Sequence, residues 1–131
     1  MALTDKQILG TKGEEVTCQW LVTHDFKVLD RNYRKPWGEI DVVAQKGDMV
    51  HFVEVKTVST LLEVIYETKD SYEPEDNVHP WKLQRLYRAI NSYLSDKGLD
   101  EETDWQLDVV AIYLNQTSGQ VVKFEYLEDV L

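Results

Sequence analysis

The spacing of hydrophobic positions predicts two amphipathic helices in this chain. The first spans residues 5 to about 24, where Thr4 and Gln7 have the spacing of a capping box and apolar residues then recur at helical intervals. The second spans about residues 79–97 and is followed by Gly98, which suits a helix end. The positions expected to face the core are Ile8, Leu9, Val16, Trp20 and Leu21 in the first helix, and Leu83, Leu86, Tyr87, Ile90, Tyr93 and Leu94 in the second.

Five strands are predicted from shorter apolar runs that are bounded by turn residues. They lie at 26–34, on the two sides of the "QKGD" turn within 38–57, at 105–114 and at 120–128. The first three strands would pair antiparallel, and the second helix would cross over to a parallel fourth strand. The expected fold class is therefore α/β, with a mixed central sheet of about five strands flanked by helices in the order α-β-β-β-α-β-β.

An acidic insertion is predicted at residues 59–77, either as a polar connection or with a short strand at 61–67. The net charge of the chain is −10, which opposes a nucleic-acid partner because phosphate binding depends on lysine and arginine. However, residues 63–76 and residues 96–108 each hold six acidic residues against one basic residue. The rest of the chain is close to neutral, and this distribution weakens the objection.

Composition limits the class of protein. A chain of 131 residues that is 43% hydrophobic is long enough for one domain with a substantial core, and we expect residues 1–131 to form that domain. No apolar run approaches the length needed to cross a bilayer, and the N-terminal residues lack the basic start and apolar stretch of a signal peptide. The single cysteine, Cys18, excludes an internal disulfide and a cysteine-based zinc site. A cytoplasmic protein without a membrane partner is therefore expected.

Three charged residues interrupt the most hydrophobic strands. Asp41 lies in one strand of the "QKGD" hairpin, and Glu54 and Lys56 lie in the other. Side chains alternate faces along a strand, so Glu54 and Lys56 share a face with Phe52, and Asp41 lies beside Glu54 if the strands pair. Two adjacent carboxylates resist ionisation unless a cation lies between them, and Mg²⁺ or Mn²⁺ suits such oxygen ligands.

A lysine beside two metal-binding carboxylates would stabilise the charge that develops on a pentacovalent phosphate. The pattern of Asp41, Glu54 and Lys56 therefore indicates a site for metal-assisted phosphodiester hydrolysis. An isolated E-x-K pair on a strand is also typical of a solvent-facing charge pair, which remains the alternative interpretation.

The sequence "GEID", twelve further residues and then "EVK" have the form of the PD-(D/E)xK motif of restriction-endonuclease-like nucleases. Together with "GTKGEE", "LDRNYRKPWGEIDVVA", "VHFVEVKT" and "LDVVAI", this motif resembles the YraN family, a small bacterial family that is similar in outline to archaeal Holliday-junction resolvases. The resemblance implies a restriction-endonuclease-like fold, in which Asp41 and Glu54 are metal ligands and Lys56 is the catalytic lysine. It further implies that Glu14 is another ligand or a water-orienting base, and that Lys82 contacts phosphate.

The first helix carries two glycines near Glu14. Gly10 and Gly13 each weaken a helix, which is understandable if the helix packs closely over the site. Alternatively, the helix begins only after Gly13.

The hairpin that precedes Asp41 is rich in basic and aromatic residues. Tyr33 and Trp37 would either stack on nucleic-acid bases or cover an edge of the core. The residues expected to contact nucleic acid are Arg31, Arg34, Lys35, Lys82 and Arg85.

Three functions are compatible with these observations. The first is a Mg²⁺- or Mn²⁺-dependent endonuclease that acts on DNA, including branched or other non-B structures. The second is a nucleic-acid-binding module with the same fold but little or no turnover, and the third is an acidic protein-interaction scaffold. The intact set of Asp41, Glu54 and Lys56 favours the first, and cutting both strands of a branched substrate would require a homodimer.

Overall fold

The computed structural model describes residues 3–61, 80–99 and 102–131. Within these residues the chain forms two helices and five strands in the predicted order α-β-β-β-α-β-β. The elements are α1 (Asp5–Thr23), β1 (Lys27–Lys35), β2 (Gly38–Lys46), β3 (Met49–Thr60), α2 (Pro80–Asp96), β4 (Trp105–Asn115) and β5 (Val121–Leu127). No helix in this part of the chain is long and apolar enough to cross a membrane.

The strands form one mixed sheet in the order β1-β2-β3-β4-β5. β1, β2 and β3 pair antiparallel, β4 runs parallel to β3, and β5 returns antiparallel to β4. α2 lies between β3 and β4 in the chain, so it belongs to the crossover that a parallel pair requires. The predicted α/β class and the mixed sheet are confirmed.

The two helices cover opposite faces of the sheet, and alternation along β3 shows which residues meet each helix. Val53 packs in a cluster with Leu21 of α1. Phe52, one residue earlier, points to the other face and packs edge-on against Tyr93 of α2, with ring centroids 5.7 Å apart. Glu54 follows Phe52 by two residues and therefore lies on the α2 face, as predicted.

α1 begins at the predicted capping box. Thr4 Oγ1 accepts a hydrogen bond from the Gln7 N–H at 3.1 Å, and the Gln7 side chain accepts one from the Thr4 N–H at 2.9 Å. Leu9 packs against the core as expected, but Ile8 is 52% exposed, so its assignment to the core-facing stripe is wrong. Neighbouring residues of a helix point about 100° apart, and packing Leu9 inwards turns Ile8 to solvent.

α2 also follows its predicted apolar pattern, with one exception at the surface. Ile90 and Tyr93 are each 1% exposed, whereas Tyr87 is 39% exposed and contacts the ring of Trp105 at its edge. Gly98 follows the helix with a φ of 67°, a left-handed conformation that glycine adopts without strain.

The acidic insertion begins later than predicted. Ser59 and Thr60 pair with Leu114 and Asn115 of β4 and complete β3, because the parallel ladder is longer than the apolar run suggested. Residues 62–77, which include nearly all of the alternative strand, lie outside the described residues.

A buried carboxylate holds the segment that follows β5. Asp108 in β4 is 0% exposed, and both of its oxygens accept hydrogen bonds. Oδ2 lies 2.6 Å from His51 Nδ1 and also accepts from the Tyr126 hydroxyl. Oδ1 accepts from the Gln106 amide at 2.8 Å and from the Asp129 N–H at 2.9 Å. These contacts offset the cost of burying the charge and fix the segment after β5 against β4.

Candidate active site

The candidate site lies where β2 and β3 separate. Their ladder ends at the pair Val42↔Val53. The alternation of side chains between the two faces of β2 also breaks here. Residues two apart in a strand normally share a face, but Ile40 packs on the α2 side of the sheet and Val42 on the α1 side. The side chain of Asp41 turns towards β3 and accepts a hydrogen bond from the Val55 N–H at 2.8 Å. The break in the sheet therefore positions the Asp41 carboxylate beside the strand that carries Glu54.

Asp41 and Glu54 are two half-buried carboxylates whose negative charges repel each other. Burial raises the pKa of Asp41 to about 6, although the hydrogen bond from Val55 acts in the opposite direction. Burial, and next the negative charge of Asp41, raises the pKa of Glu54 to about 8. Without a cation the protein thus favours protonation of this pair, which is the behaviour expected of acids held close together away from water.

Glu14 approaches the site from α1 and is oriented by β1. When the Asn32 amide nitrogen faces the carboxylate, it donates to the two Glu14 oxygens at 2.8 and 3.0 Å. Burial raises the pKa of Glu14, while the positive charges of Arg34 and Arg31 oppose the rise. Glu14 also contributes to the raised pKa of Asp41. α1 and β1 therefore bring a third acid into the electrostatic field of the pair.

Two lysines accompany Glu54. Lys82 Nζ, from the first turn of α2, lies 3.9 Å from Glu54 Oε1, and the side chains are 41% and 19% exposed. Lys56 is exposed on β3, two residues beyond Glu54, and its charge opposes the rise in the pKa of Glu54. A positive group thus lies near the Glu54 carboxylate from each of two elements, β3 and α2.

The three basic residues of the β1–β2 hairpin that were expected to contact nucleic acid each form an ion pair with an acid. The ion pairs are Arg31–Glu15 at 3.0 Å, Arg34–Glu39 at 3.6 Å and Lys35–Asp96 at 3.4 Å. Exposed pairs of this kind are weak and exchange with water, so they do not prevent a phosphate from competing for the cations. Arg31 and Arg34 lie near Glu14, whereas Lys35 is held at the far end of α2.

The aromatic residues of the same hairpin contact α2. The Tyr33 hydroxyl donates to Asp96, and Trp37 Nε1 donates to Ser92 Oγ at 2.8 Å. Tyr33 also meets the ring of Tyr93 edge-on, with centroids 5.2 Å apart. Of the two interpretations of these aromatics, the structure supports the one in which they cover an edge of the core.

Two glycines permit the close approaches that place the site. A Cβ at Gly13 would lie 1.8 Å from Thr57 Oγ1, so α1 touches β3 at the residue that precedes Glu14. A Cβ at Gly38 would lie 2.3 Å from the Arg85 carbonyl oxygen, so β2 touches α2 in the same way. A Cβ at Gly10 would meet nothing within 4 Å. Close packing therefore explains Gly13 but not Gly10, and the alternative in which the helix starts after Gly13 is wrong.

Sequence reasoning missed two residues of this site. Asn32 has a φ of 53°, a left-handed conformation that asparagine tolerates better than most residues, and this places its amide at Glu14. An asparagine, which is depleted in strands, inside a predicted strand was the available signal. Glu39 is exposed, yet its negative charge contributes to the raised pKa of Asp41 and of Glu54. Its position two residues before Asp41 is the signal in that case.

A cavity of about 330 Å³ opens beside Glu54 on the α2 side of the sheet. Most of its walls are apolar side chains, contributed by α2, β4 and the segment after β5. The apolar wall residues are Leu83, Leu86, Leu107, Val109, Val130 and Leu131.

The donors present fit a small divalent cation only in part. Among the described residues, no three or more side chains of His, Cys, Asp or Glu converge closely enough to hold a metal ion. Asp41 and Glu54 nevertheless supply adjacent oxygen donors with raised pKa values. Mg²⁺ characteristically binds one or two protein carboxylates and completes its shell with water and phosphate oxygens, so this donor set fits it. The predicted role of Glu14 as a third ligand stays a prediction.

Comparison with known proteins gives one consistent result. The sequence model of the uncharacterised protein family UPF0102 matches residues 13–112. A UPF0102 protein of Flavobacterium johnsoniae is 35% identical over 123 residues, which cover 92% of this chain and 91% of the relative. A UPF0102 protein of Dictyoglomus thermophilum is 34% identical over 125 residues, which cover 95% and 97%. The matched range includes every candidate catalytic and metal-binding residue described above.

Proposed function

The chain belongs to the uncharacterised protein family UPF0102, the family called YraN, and we propose that it is a metal-dependent endonuclease that hydrolyses phosphodiester bonds in DNA. The observation that carries this proposal is the pair of half-buried carboxylates, Asp41 and Glu54, with Lys56 and Lys82 near Glu54. Burying two like charges is costly, and a fold that serves only as a scaffold has no need of them.

The proposed roles follow from position. Asp41 and Glu54 would hold Mg²⁺ or Mn²⁺, which when bound would supply a Lewis acid and an activated water at neutral pH. Glu14 is held by Asn32 at the edge of the pair, where its carboxylate can orient or deprotonate a water molecule.

The lysines would act on the substrate. Lys56 projects from the strand that carries Glu54, where its ammonium group can stabilise negative charge that develops on the phosphorus oxygens. Lys82 sits at the start of α2 and can bind a non-bridging oxygen of the same or a neighbouring phosphate. Arg85 lies one turn further along the exposed side of α2 and extends this basic surface.

A second candidate function is supported by a different observation. Arg31, Arg34 and Lys35 are paired with acids, and the chain has a net charge of −10. Both facts favour a protein-interaction scaffold that retains the nuclease framework without DNA binding.

Cleavage and metal binding together decide between the two functions. We expect purified wild-type protein to cut DNA with Mg²⁺ or Mn²⁺, and Asp41→Asn to abolish cleavage and the heat of Mn²⁺ binding in calorimetry. Asp48→Asn makes the same chemical change in the exposed β2–β3 turn and is the matched control. Equal cleavage by wild type and Asp41→Asn would exclude this site, and an absence of Mn²⁺ binding by wild type would favour the scaffold.

A further inference from the structure

The walls of the cavity beside Glu54 combine charged and apolar side chains. The charged residues are Glu39, Glu54, Lys82 and Arg85. The rest is apolar, and Trp81 at the start of α2 contributes an indole that is 59% exposed. Because Lys82 lies 3.9 Å from Glu54, the charged part of the wall belongs to the candidate active site itself.

A nucleotide likewise combines a charged group with a ring that has apolar faces. Its phosphate is anionic and would lie against the lysine and the metal ligands, while its base is a flat aromatic ring joined to the phosphate through one sugar. Aromatic side chains bind unpaired bases by stacking with little regard to sequence, and Trp81 in the cavity wall would supply such a ring. A cavity of about 330 Å³ is at the small end of the range of ligand pockets, which suits one base rather than a peptide element.

One wall of this cavity, the segment after β5, is held by hydrogen bonds without a ligand. The Val130 N–H donates to the Leu107 carbonyl at 2.9 Å, and the neighbouring Asp129 N–H donates to the buried Asp108 carboxylate. The segment after β5 is thereby held as the wall that faces α2. A preformed cavity costs less to fill than one that must open first.

We propose that this cavity receives the base of a nucleotide next to the phosphate that is cut, so that the substrate class is DNA with unpaired nucleotides. The inference rests on the proposed function and adds the substrate to it. A base inside a duplex is stacked and paired and reaches such a cavity only after it is flipped out, whereas a base in a single strand, a gap or a flap enters without that cost.

Binding is measured first, apart from cleavage. Wild-type protein in Ca²⁺ is titrated with a thymidine hexanucleotide and with a hexamer of abasic tetrahydrofuran phosphates, which has the same charge but no bases. We expect the methyl NMR signals of Leu83, Leu86 and Val109 to shift with the first and not with the second. The affinity for the first should be higher by about tenfold or more, the effect of stacking one base.

Two variants test the cavity itself. Leu83→Trp fills it and should remove the advantage of the thymidine hexanucleotide, whereas Val22→Trp adds the same ring at a residue of α1 that is 61% exposed and should not. Trp81→Ala changes an exposed residue, so it keeps the test valid if Leu83→Trp fails to fold. It should weaken binding of the hexanucleotide and leave abasic binding unchanged.

Cleavage completes the test. Wild type should cut a single strand faster than a blunt duplex of the same sequence, and Leu83→Trp should reduce this preference. Equal binding of the two hexamers, or wild-type behaviour of both cavity variants, would overturn the inference. A cavity that instead receives an apolar side chain of a partner protein would give equal binding of the two hexamers. The proposed function fails separately, if Asp41→Asn cuts as fast as wild type, whatever happens at the cavity.

Discussion

Replacing Asp41 with asparagine should make the metal-free protein more stable at alkaline pH, although it removes a candidate catalytic group. Asparagine has nearly the same shape, and its carbonyl oxygen can still accept the hydrogen bond from Val55. What disappears is a buried negative charge and its repulsion of Glu54. The variant therefore isolates the electrostatic cost of the pair from its packing.

The size of the effect follows from the raised pKa values. A change in the pKa of Asp41 from 3.8 in the unfolded chain to about 6 in the folded protein corresponds to about 3 kcal/mol at full ionisation. Burying a neutral amide has a cost of its own, so we expect a net gain of about 1–3 kcal/mol at pH 8. For an acid whose folded pKa is raised, stability is complete below the unfolded pKa and is lost as pH rises through the folded pKa. The gain should therefore vanish below about pH 4, grow between about 4 and 6, and stay constant above that.

The assay is urea denaturation in EDTA, followed by tryptophan fluorescence at pH 4.5 and at pH 8. Wild type, Asp41→Asn and the turn variant Asp48→Asn are compared, and only Asp41→Asn should show a stability difference that depends on pH in this range. If Asp41→Asn were less stable than wild type at pH 8, or if its stability difference from wild type were the same at both pH values, the Asp41 carboxylate would not be destabilised by burial and by Glu54.

Three further predictions concern the same region. Lys56→Ala should lower the cleavage rate in single-turnover kinetics far more than the affinity for Mn²⁺ in calorimetry, because the ammonium group acts on the transition state. Equal losses would make Lys56 a structural partner of Glu54. Gly13→Ala should lower the urea midpoint, because the new Cβ would lie 1.8 Å from Thr57 Oγ1. Gly10→Ala, where a Cβ meets nothing within 4 Å, should raise the free energy of unfolding by about 1 kcal/mol. The opposite order of stabilities would mean that α1 contacts the sheet elsewhere. Ca²⁺ in place of EDTA should strengthen DNA binding in fluorescence anisotropy at fixed ionic strength, and Asp41→Asn should lose most of the gain; identical affinities would mean that no metal bridges protein and phosphate.

Local patterns were sufficient to predict the elements and the central pair of acids. The capping box at Thr4 and the left-handed Gly98 mark helix ends through contacts within a few residues, and both were correct. Alternation along β3 placed Glu54 on the face opposite Val53, because the period of a strand depends on the backbone alone.

Contacts between distant residues were beyond such patterns. The pairing of Arg31 with Glu15 and of Lys35 with Asp96 depends on how the helices lie on the sheet, and a list of basic residues does not reveal it. The end of the β2–β3 pairing next to Asp41 has the same character, since an apolar run does not show where a strand parts from its neighbour. The exposure of Ile8 shows that helical spacing gives a stripe but not its exact rotation towards the core.

The parallel pairing of β3 with β4 has a consequence for the order of folding. Val50 pairs with Trp105 and Thr60 with Asn115, so this ladder joins residues about 55 positions apart, whereas the β2–β3 hairpin closes across a two-residue turn. Short loops close at lower entropic cost, and we expect the hairpin to form first, as early amide protection in pulse-labelled hydrogen exchange would show. Asp41 and Glu54 would then meet while both are still hydrated, and the cost of their repulsion would arise only in the late steps, when α2 and β4 dock and exclude water. Folding of this protein should accordingly be slowest where its proposed chemistry is placed, and a divalent cation should accelerate only those last steps.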